Sequence, residues 1–189
     1  MKQEERPTML PFGVQFDLID GTMESPDRVV VRRASAMRGH YADADALEDL
    51  IRDGDPVHYR VYEKAIPEAL GHLLVCVSVL EPGTVGREYF MTKGHYHTVA
   101  DTAEVYLALQ GAGIMLMKTA EGSCHWESMV RGRMVYVPPF WAHRSVNVGR
   151  RPLVSFCVYP GHAGHNYGDI ESQGFPKRVL DSAGRVEIV

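Results

Sequence analysis

The sequence of 189 residues has no long apolar run. No segment approaches the ~20 consecutive apolar residues of a membrane-spanning helix, so we expect no membrane partner. The first seventeen residues also lack the apolar stretch of a signal peptide, which favours a cytoplasmic location. Only three cysteines occur, at positions 76, 124 and 157, without a Cys-x-x-Cys pair. We therefore expect reduced thiols and neither a disulfide framework nor a cysteine-rich zinc site.

The sequence also lacks an excess of positive charge, since its net charge is −4 with histidine neutral. Nucleic-acid binding favours basic patches, so we expect no nucleic-acid partner. Neither a Walker-type loop nor a Gly-x-Gly-x-x-Gly segment is present to hold a phosphate. Hydrophobic residues make up 45% and charged residues 23% of the chain, which predicts a globular core.

What the chain has instead is a succession of short β-type segments. A β-rich piece at Arg28–Arg33 precedes a short helix over 43–53, for which Asp43 is the N-cap and Gly54 lies just past the end. Further strands are predicted at Leu73–Leu80, Glu88–Thr92, Glu104–Leu109, Ile114–Lys118, Trp126–Met129, Arg133–Val137 and Leu153–Tyr159. No helical pattern separates them, so we expect an antiparallel sandwich or barrel rather than a parallel sheet.

Candidate metal ligands cluster along this β-rich part. On an extended strand, residues two apart share a face, so His95 and His97 point to the same side and can hold one ion. Glu104 opens an alternating segment in which it shares a face with Tyr106. His143 follows two prolines that stiffen its turn. Each residue also has an ordinary structural explanation, as a surface group or a hydrogen-bonded core side chain.

The spacing of these residues resembles the two motifs of the cupin family. The first motif is matched by His95-x-His97-x6-Glu104-x6-Gly111, with a longer gap between histidine and glutamate and without the leading glycine. The second is matched by Gly132-x5-Pro138-x-Phe140-x2-His143-x3-Asn147. Phe140 stands where the second motif has glycine. The resemblance implies an all-β fold, a double-stranded β-helix (jelly-roll) barrel with a few short helices and the metal inside. It implies a single domain over 1–189, with an extension and dimer arm over 1–55 and a barrel core over 56–176.

The surrounding residues are similar to the cupin-type glucose-6-phosphate isomerases. The similar segments are 88–97, 104–113, 136–144 and 159–167, followed by Gly174 and Phe175. The resemblance implies an enzyme of glycolysis and gluconeogenesis whose substrates are the sugar phosphates glucose 6-phosphate and fructose 6-phosphate. It also implies a homodimer that pairs through N-terminal strands within residues 1–35.

The ligand set of three histidines and one carboxylate suits one divalent first-row metal per subunit. We favour Fe²⁺, with Mn²⁺, Zn²⁺ or Ni²⁺ as alternatives. Aldose–ketose isomerisation moves hydrogen between C1 and C2, usually through a cis-enediol that a base forms and reprotonates. Glu104 is the candidate base. A metal-assisted hydride shift is the rival mechanism, and the sequence leaves both open.

Substrate contacts are expected from residues beside the ligands. Thr92 and the N–H group of Gly94 precede the histidine pair and can hold a phosphate, and Tyr106 shares the face of Glu104. The family resemblance adds substrate-binding residues Tyr59, Ser78 and Tyr167 and catalytic residues Tyr159 and His165. His165 suits proton transfer because the ordinary pKa of histidine is ~6.5.

Two other functions fit the same motifs. Another cupin metalloenzyme, such as an iron dioxygenase or a different sugar-phosphate isomerase, shares the ligand set. A non-catalytic sugar-binding cupin usually lacks some ligands or carries a DNA-binding helix pair, and neither applies to this sequence.

Overall fold

The computed structural model describes residues 9–189, so the first eight residues of the expected arm lie outside the described residues. The described chain is mainly β-structure. Its strands up to the middle of the chain are β1 (Arg28–Arg33), β2 (Val57–Glu63), β3 (Leu73–Leu80), β4 (Thr84–Val85), β5 (Glu88–Tyr89), β6 (Glu104–Gln110) and β7 (Ala112–Lys118). The later strands are β8 (Cys124–Val130), β9 (Met134–Val137), β10 (Ala142–Asn147), β11 (Leu153–Pro160), β12 (Val179–Ser182) and β13 (Arg185–Ile188). The helices are α1 (Ala44–Arg52), α2 (Gly168–Gln173) and a 3-10 turn over Ala34–Met37.

The strands form three antiparallel sheets around one interior. The six-stranded sheet has the order β1-β2-β3-β11-β6-β9, and a three-stranded sheet has the order β10-β7-β8. A four-stranded sheet, β13-β12-β5-β4, closes one side. This arrangement confirms the all-β cupin barrel predicted from the sequence. The predicted boundary between the N-terminal extension and the barrel core, at residues 55 and 56, stays a prediction. Strand β1 belongs to the predicted extension and forms the edge of the largest sheet.

Side-chain alternation gives the largest sheet an inner and an outer face. On β6, Glu104, Tyr106 and Ala108 are buried inside the barrel, whereas the residues between them are half-buried. On the outer face, Val77, Val79 and Val154 pack with Met23 under the segment that precedes β1. Each fully buried side chain of this size stabilises the fold by about 1.5–3 kcal/mol. The N-terminal segment therefore covers the back of the sheet that carries the interior residues.

Helix α1 confirms the predicted helix, with bounds one residue narrower at each end. The Asp43 side chain accepts a hydrogen bond from the Ala46 N–H at 2.9 Å, as an N-cap does. Gly54 adopts a φ of 120°, a conformation that favours glycine just past the helix. Leu47 is the helix residue buried against the core.

Two of the predicted strands differ from the structure. The strand expected over Glu88–Thr92 ends at Tyr89, and the segment with His95 and His97 is extended without forming a regular strand. That segment changes partner within a few residues, because His95 pairs with His143 whereas Tyr96 pairs with Asn166. A segment that switches partners cannot build a continuous ladder. Strands β2, β4, β10, β12 and β13 and helix α2 were not among the predicted elements.

Among the described residues, no helix combines the length and apolarity needed to cross a membrane.

Candidate metal centre and ligand cavity

The four predicted metal ligands meet inside the barrel. His95 and His97 come from the extended segment after β5, Glu104 opens β6, and His143 is the second residue of β10. One nitrogen or oxygen atom from each residue lies within 4.8 Å of those of the other three. Three separate segments of the chain therefore supply one compact set of donors.

The backbone fixes the positions of His95 and His143. The N–H of His95 donates to the carbonyl of His143 at 3.2 Å, and the N–H of His143 donates to the carbonyl of His95 at 3.1 Å. This reciprocal pair sets the two imidazole rings side by side, with centroids 4.5 Å apart. The main chain therefore sets the separation of the two rings.

Glu104 joins two of the histidines. Its Oε2 lies 2.9 Å from Nε2 of His143 and 3.2 Å from Nε2 of His97. Burial acts to raise the pKa of Glu104, but the interactions with His143 and His97 outweigh it and lower this pKa below its ordinary value. The buried side chain is therefore a carboxylate at neutral pH, the form that binds a cation.

The cluster contains a polar atom that the described residues do not satisfy. Nε2 of His95 is buried without a hydrogen-bond partner among the described residues. Burial, followed by the neighbouring imidazoles, lowers the pKa of His95 well below its ordinary value, so its ring stays neutral. A buried nitrogen lone pair without a partner is costly, and coordination to a cation satisfies it. The donor set, three imidazoles and one carboxylate, thus fits a divalent metal ion.

A cavity of about 140 Å³ opens beside this cluster. Every predicted site residue except His97 lines it. The lining includes Tyr59, Ser78, Thr92, Gly94, His95, Glu104, Tyr106, His143, Tyr159, His165 and Tyr167. His97 is buried and reaches the cluster without lining the cavity. One space therefore contains three of the four predicted metal ligands together with the predicted substrate contacts.

His165 lies against the metal ligands. Its ring centroid is 4.4 Å from that of His95, 5.4 Å from that of Tyr159 and 5.9 Å from that of Tyr167. Burial is the largest cause that lowers the pKa of His165. Burial also raises the pKa of Tyr159 above its ordinary value, so this phenol stays protonated. The cavity thus holds a neutral imidazole and a phenol donor close to the ligand set.

Thr92 and Gly94 are placed by β10. The N–H of Ser145 donates to Oγ1 of Thr92 at 3.1 Å, and the N–H of Thr92 donates to the Ser145 carbonyl at 2.9 Å. Gly94 has a φ of 78°, and an added Cβ would lie 2.8 Å from the Phe175 ring and 3.0 Å from the carbonyl of His143. A side chain at position 94 would therefore clash, which explains the glycine beside the ligands.

The sequence reasoning missed several cavity residues. Arg28, Arg32, Glu63 and Ser145 line the cavity but were not among the predicted contacts. The alternation of side chains along a strand could have indicated these residues. Arg28 and Arg32 share one face of β1, and Ser145, two residues after His143, shares the face of that histidine on β10. Arg28 is ion-paired with Glu63, whereas Arg32 has no carboxylate within ion-pair distance among the described residues. Arg32 is therefore a cation of the cavity whose charge is not matched by an acidic partner.

This fold and its interior histidine–glutamate cluster define a cupin-type barrel with a group of residues that could hold a metal ion. A family model described as Glucose-6-phosphate isomerase (GPI) matches residues 31–187. The chain is 50% identical over 179 residues to the glucose-6-phosphate isomerase of Thermococcus gammatolerans, covering 95% of this chain and 94% of that relative. It is 47% identical, at the same coverage, to the glucose-6-phosphate isomerase of Pyrococcus furiosus. The chain belongs to the glucose-6-phosphate isomerase family, as its motifs predicted.

A more distant relative and solved structures are also similar. A putative glucose-6-phosphate isomerase 2 of Rhizobium meliloti is 37% identical, over 94% of this chain and 89% of that relative. The solved oxalate decarboxylase of Lactobacillus farciminis has a TM-score of 0.46 at 17% identity, covering 58% of this chain and 30% of that chain. An oxalate oxidase structure has a TM-score of 0.47 at 12% identity, covering 60% and 56%.

Proposed function

We propose that this chain interconverts glucose 6-phosphate and fructose 6-phosphate, in glycolysis or gluconeogenesis, within the cavity beside the histidine–glutamate cluster. One observation carries the proposal. A single cavity contains a buried carboxylate, a neutral imidazole, and hydroxyl and N–H groups that suit a phosphate as hydrogen-bond donors. Family membership supplies the substrate class, since curated relatives that share about half of the residues are named for this activity.

The proposed metal ligands are His95, His97, Glu104 and His143. We propose Fe²⁺ as the ion, one per subunit, with Mn²⁺, Zn²⁺ and Ni²⁺ as alternatives that suit the same nitrogen and oxygen donors. When bound, such an ion acts as a Lewis acid that polarises the sugar oxygens. The reciprocal hydrogen bonds between His95 and His143 fix the relative positions of two of the proposed ligands.

Glu104 is the proposed base that moves the proton between C2 and C1. Both histidine contacts fall on its Oε2, which leaves Oε1 to face the substrate. The carboxylate takes the C2 proton, the sugar becomes a cis-enediol, and the same oxygen returns a proton to C1. His165 accepts a proton from a sugar hydroxyl and returns it. Tyr159 donates a hydrogen bond to a sugar oxygen. Tyr106 and Tyr167 bind the sugar from either side.

The proposed phosphate site lies around Thr92 and Gly94. The proposed site consists of the Thr92 hydroxyl, the Gly94 N–H and the hydroxyls of Tyr59 and Ser78, which line the same cavity. Arg32 adds a positive charge, because it faces Tyr59 across strands β1 and β2 and has no acidic partner within residues 9–189. A dianionic phosphate held there directs the sugar chain toward Glu104 and His165.

A coupled assay tests this function. Purified protein is expected to convert fructose 6-phosphate to glucose 6-phosphate, to lose activity on chelation, and to regain it when one divalent metal is added back. Comparison of the four metals at equal occupancy identifies the ion that supports turnover best. Full activity of the metal-free protein would contradict the metal role, and inactivity with every metal would contradict the isomerase.

We also propose that the protein is a cytoplasmic homodimer that pairs along β1. This strand is the edge of the largest sheet, and its outward residues Val29 and Val31 are each 42% exposed. An exposed apolar edge strand offers unpaired backbone groups and apolar area to a second copy. Sedimentation should give a dimer that Val29→Lys with Val31→Lys converts to a monomer, and a monomeric parent protein would contradict this assembly.

A further inference from the structure

Two of the three cysteines face each other inside the cavity. Cys76 on β3 and Cys157 on β11 are directly opposite in the antiparallel register. Residues so paired have Cα atoms about 4.5–5.5 Å apart and side chains on the same face. Both cysteines line the cavity, and both are free thiols. Cys124, the third cysteine, lies at the start of β8 and outside the cavity lining.

The proposed isomerisation gives these thiols no task, since carboxylate, imidazole and hydroxyl groups carry the proton transfers. Burial, then the interaction with Cys76, raises the pKa of Cys157 well above its ordinary value. The thiol therefore stays protonated at neutral pH and reacts slowly with reagents that attack one sulfur at a time. A ligand that bonds both sulfurs gains a second bond without a further loss of translational freedom.

We propose that Cys76 and Cys157 form a dithiol site that binds trivalent organic arsenicals, a soft class of ligand that two neighbouring sulfurs suit. In the reaction with a phenylarsonous acid, two As–O bonds break and two As–S bonds form. Each thiol proton leaves with a hydroxide as water, so two water molecules are released. Arsenic stays trivalent, and neither an oxidant nor a reductant is consumed.

The adduct would occupy the substrate space. Cys157 is also opposite Tyr106 on β6, two residues from Glu104 on the same face of that strand. A phenylarsenic group bridging the two sulfurs would therefore fill the cavity of about 140 Å³ beside the proposed base. Loss of isomerase activity on binding rests on the proposed function, whereas adduct formation does not.

The first measurement uses mass spectrometry of the full-length protein treated with phenylarsine oxide, which hydrates to the phenylarsonous acid. One arsenic adduct per chain is expected, removable by a dithiol such as 2,3-dimercaptopropanol and resistant to a monothiol at equal thiol concentration. Denaturation with N-ethylmaleimide should then alkylate Cys124 while Cys76 and Cys157 stay protected. This footprint on the unaltered chain needs no variant to fold.

Variants supply the matched comparison. Cys76→Ser and Cys157→Ser should each abolish the monothiol-resistant adduct, whereas Cys124→Ala should keep it in full. In the isomerase assay, the arsenical should inactivate the parent protein and Cys124→Ala at least tenfold more strongly than either serine variant. Absence of an adduct, protection of Cys124, or an adduct that survives in Cys157→Ser would each overturn the site. A protein that binds the arsenical without any isomerase activity would leave the dithiol site standing and contradict the proposed function alone.

Discussion

The hydroxyl of Thr102 fixes the protonation of the His97 ring. Oγ1 of Thr102 donates its proton to the carbonyl of Val99 at 2.6 Å, so this oxygen can only accept from Nδ1 of His97, 2.8 Å away. The Thr102 carbonyl, 3.2 Å from the same nitrogen, is a second acceptor. Nδ1 of His97 therefore carries a proton, which leaves Nε2, on the side of Glu104, as the nitrogen that would bind the proposed metal. Thr102 is therefore a positioning residue, because it orients the ring of His97, a proposed metal ligand.

Replacing Thr102 by valine should weaken metal binding. Valine keeps the shape of the side chain and removes the hydroxyl that accepts from Nδ1 of His97. The backbone carbonyl of residue 102 remains as an acceptor and still favours a proton on Nδ1. We expect metal affinity to fall by about 10-fold, the lower end of the 10- to 100-fold range for such partners. Competition with a chromophoric chelator measures the dissociation constant directly.

Thr102→Ser is the matched control for this change. Serine restores the hydroxyl. The metal affinity of Thr102→Ser should therefore lie within about two- to three-fold of that of the parent protein, compared with the loss of about 10-fold in Thr102→Val. Equal affinities for the parent protein and Thr102→Val would contradict the role of the hydroxyl. A loss in both variants would indicate a packing effect.

Arg32 should determine affinity for the phosphate group of the substrate. A hydrogen bond to a charged group contributes about 1.5–3 kcal/mol, so Arg32→Met should raise KM for fructose 6-phosphate by about 10- to 100-fold. The value of kcat should stay within a few-fold because the base and metal ligands are untouched. Steady-state kinetics together with inhibition by inorganic phosphate measure both effects.

The neighbouring arginine provides the control for this variant. Arg33 lies on the other face of β1 and donates to the carbonyl of Asp55, away from the cavity. Arg33→Met should leave KM unchanged, whereas Arg32→Lys should restore part of the lost affinity. Equal KM values for Arg32→Met and the parent protein would contradict the phosphate contact.

Phe140, which stands where the second cupin motif has glycine, adopts a backbone conformation that favours glycine. Its φ is 69°, in the left-handed region that costs a residue with a side chain about 1–2 kcal/mol. The ring is 61% exposed, so little packing offsets that strain. Phe140→Gly should therefore stabilise the fold by about 1 kcal/mol, after the greater entropy of glycine in the unfolded chain is subtracted. Urea unfolding measures this, and Phe140→Ala should show no comparable gain.

The candidate metal ligands could be named from the sequence because two of them are close in the chain and the other two stand at motif positions. His95 and His97 lie two residues apart, and Glu104 and His143 occupy fixed places in the two motifs. The chain needed no regular strand at His95–His97 to bring the rings together. Hydrogen bonds to His143 and Asn166 hold that segment extended, so the two rings reach the same cluster although the predicted strand was wrong.

Arg32 and Ser145 were missed because cavity lining depends on contacts between distant segments. Strand β1 meets the cavity only because it pairs with β2, a strand whose ends the sequence did not define. Strand β10 was hidden by the prolines and aromatic residues that precede it, so Ser145 had no assigned face. Alternation places residues on faces once a strand is known, but the sequence alone does not say which face lies inside.

His58 should make the fold sensitive to acid. Its ring is fully buried and stacks on Phe90 with centroids 3.8 Å apart, and both ring nitrogens lack partners within residues 9–189. Burial lowers the pKa of His58 to about 4. Below the unfolded pKa of ~6.5 the unfolded chain binds a proton that the folded chain does not, so stability falls from pH 6.5 to 4.

The variant His58→Leu removes this proton linkage. At pH 7, where histidine is neutral in both states, the variant should lie within about 1 kcal/mol of the parent protein. At pH 4 it should be more stable by a difference of up to about 3 kcal/mol. Urea unfolding with chelator present keeps the metal ligands equivalent in both proteins. Parallel pH profiles would contradict the assignment.

The position of deuterium in the product tests the proton transfer assigned to Glu104. With [2-²H]glucose 6-phosphate, a carboxylate that carries the C2 deuteron exchanges with solvent, so much of the fructose 6-phosphate should contain only protium at C1. A direct hydride shift instead keeps all of the deuterium at C1. Glu104→Gln, corrected for bound metal, should lower kcat by about 10²- to 10⁴-fold because the amide cannot accept the proton. Complete retention of the label would establish the hydride shift, and normal turnover per bound metal in Glu104→Gln would remove Glu104 as the base.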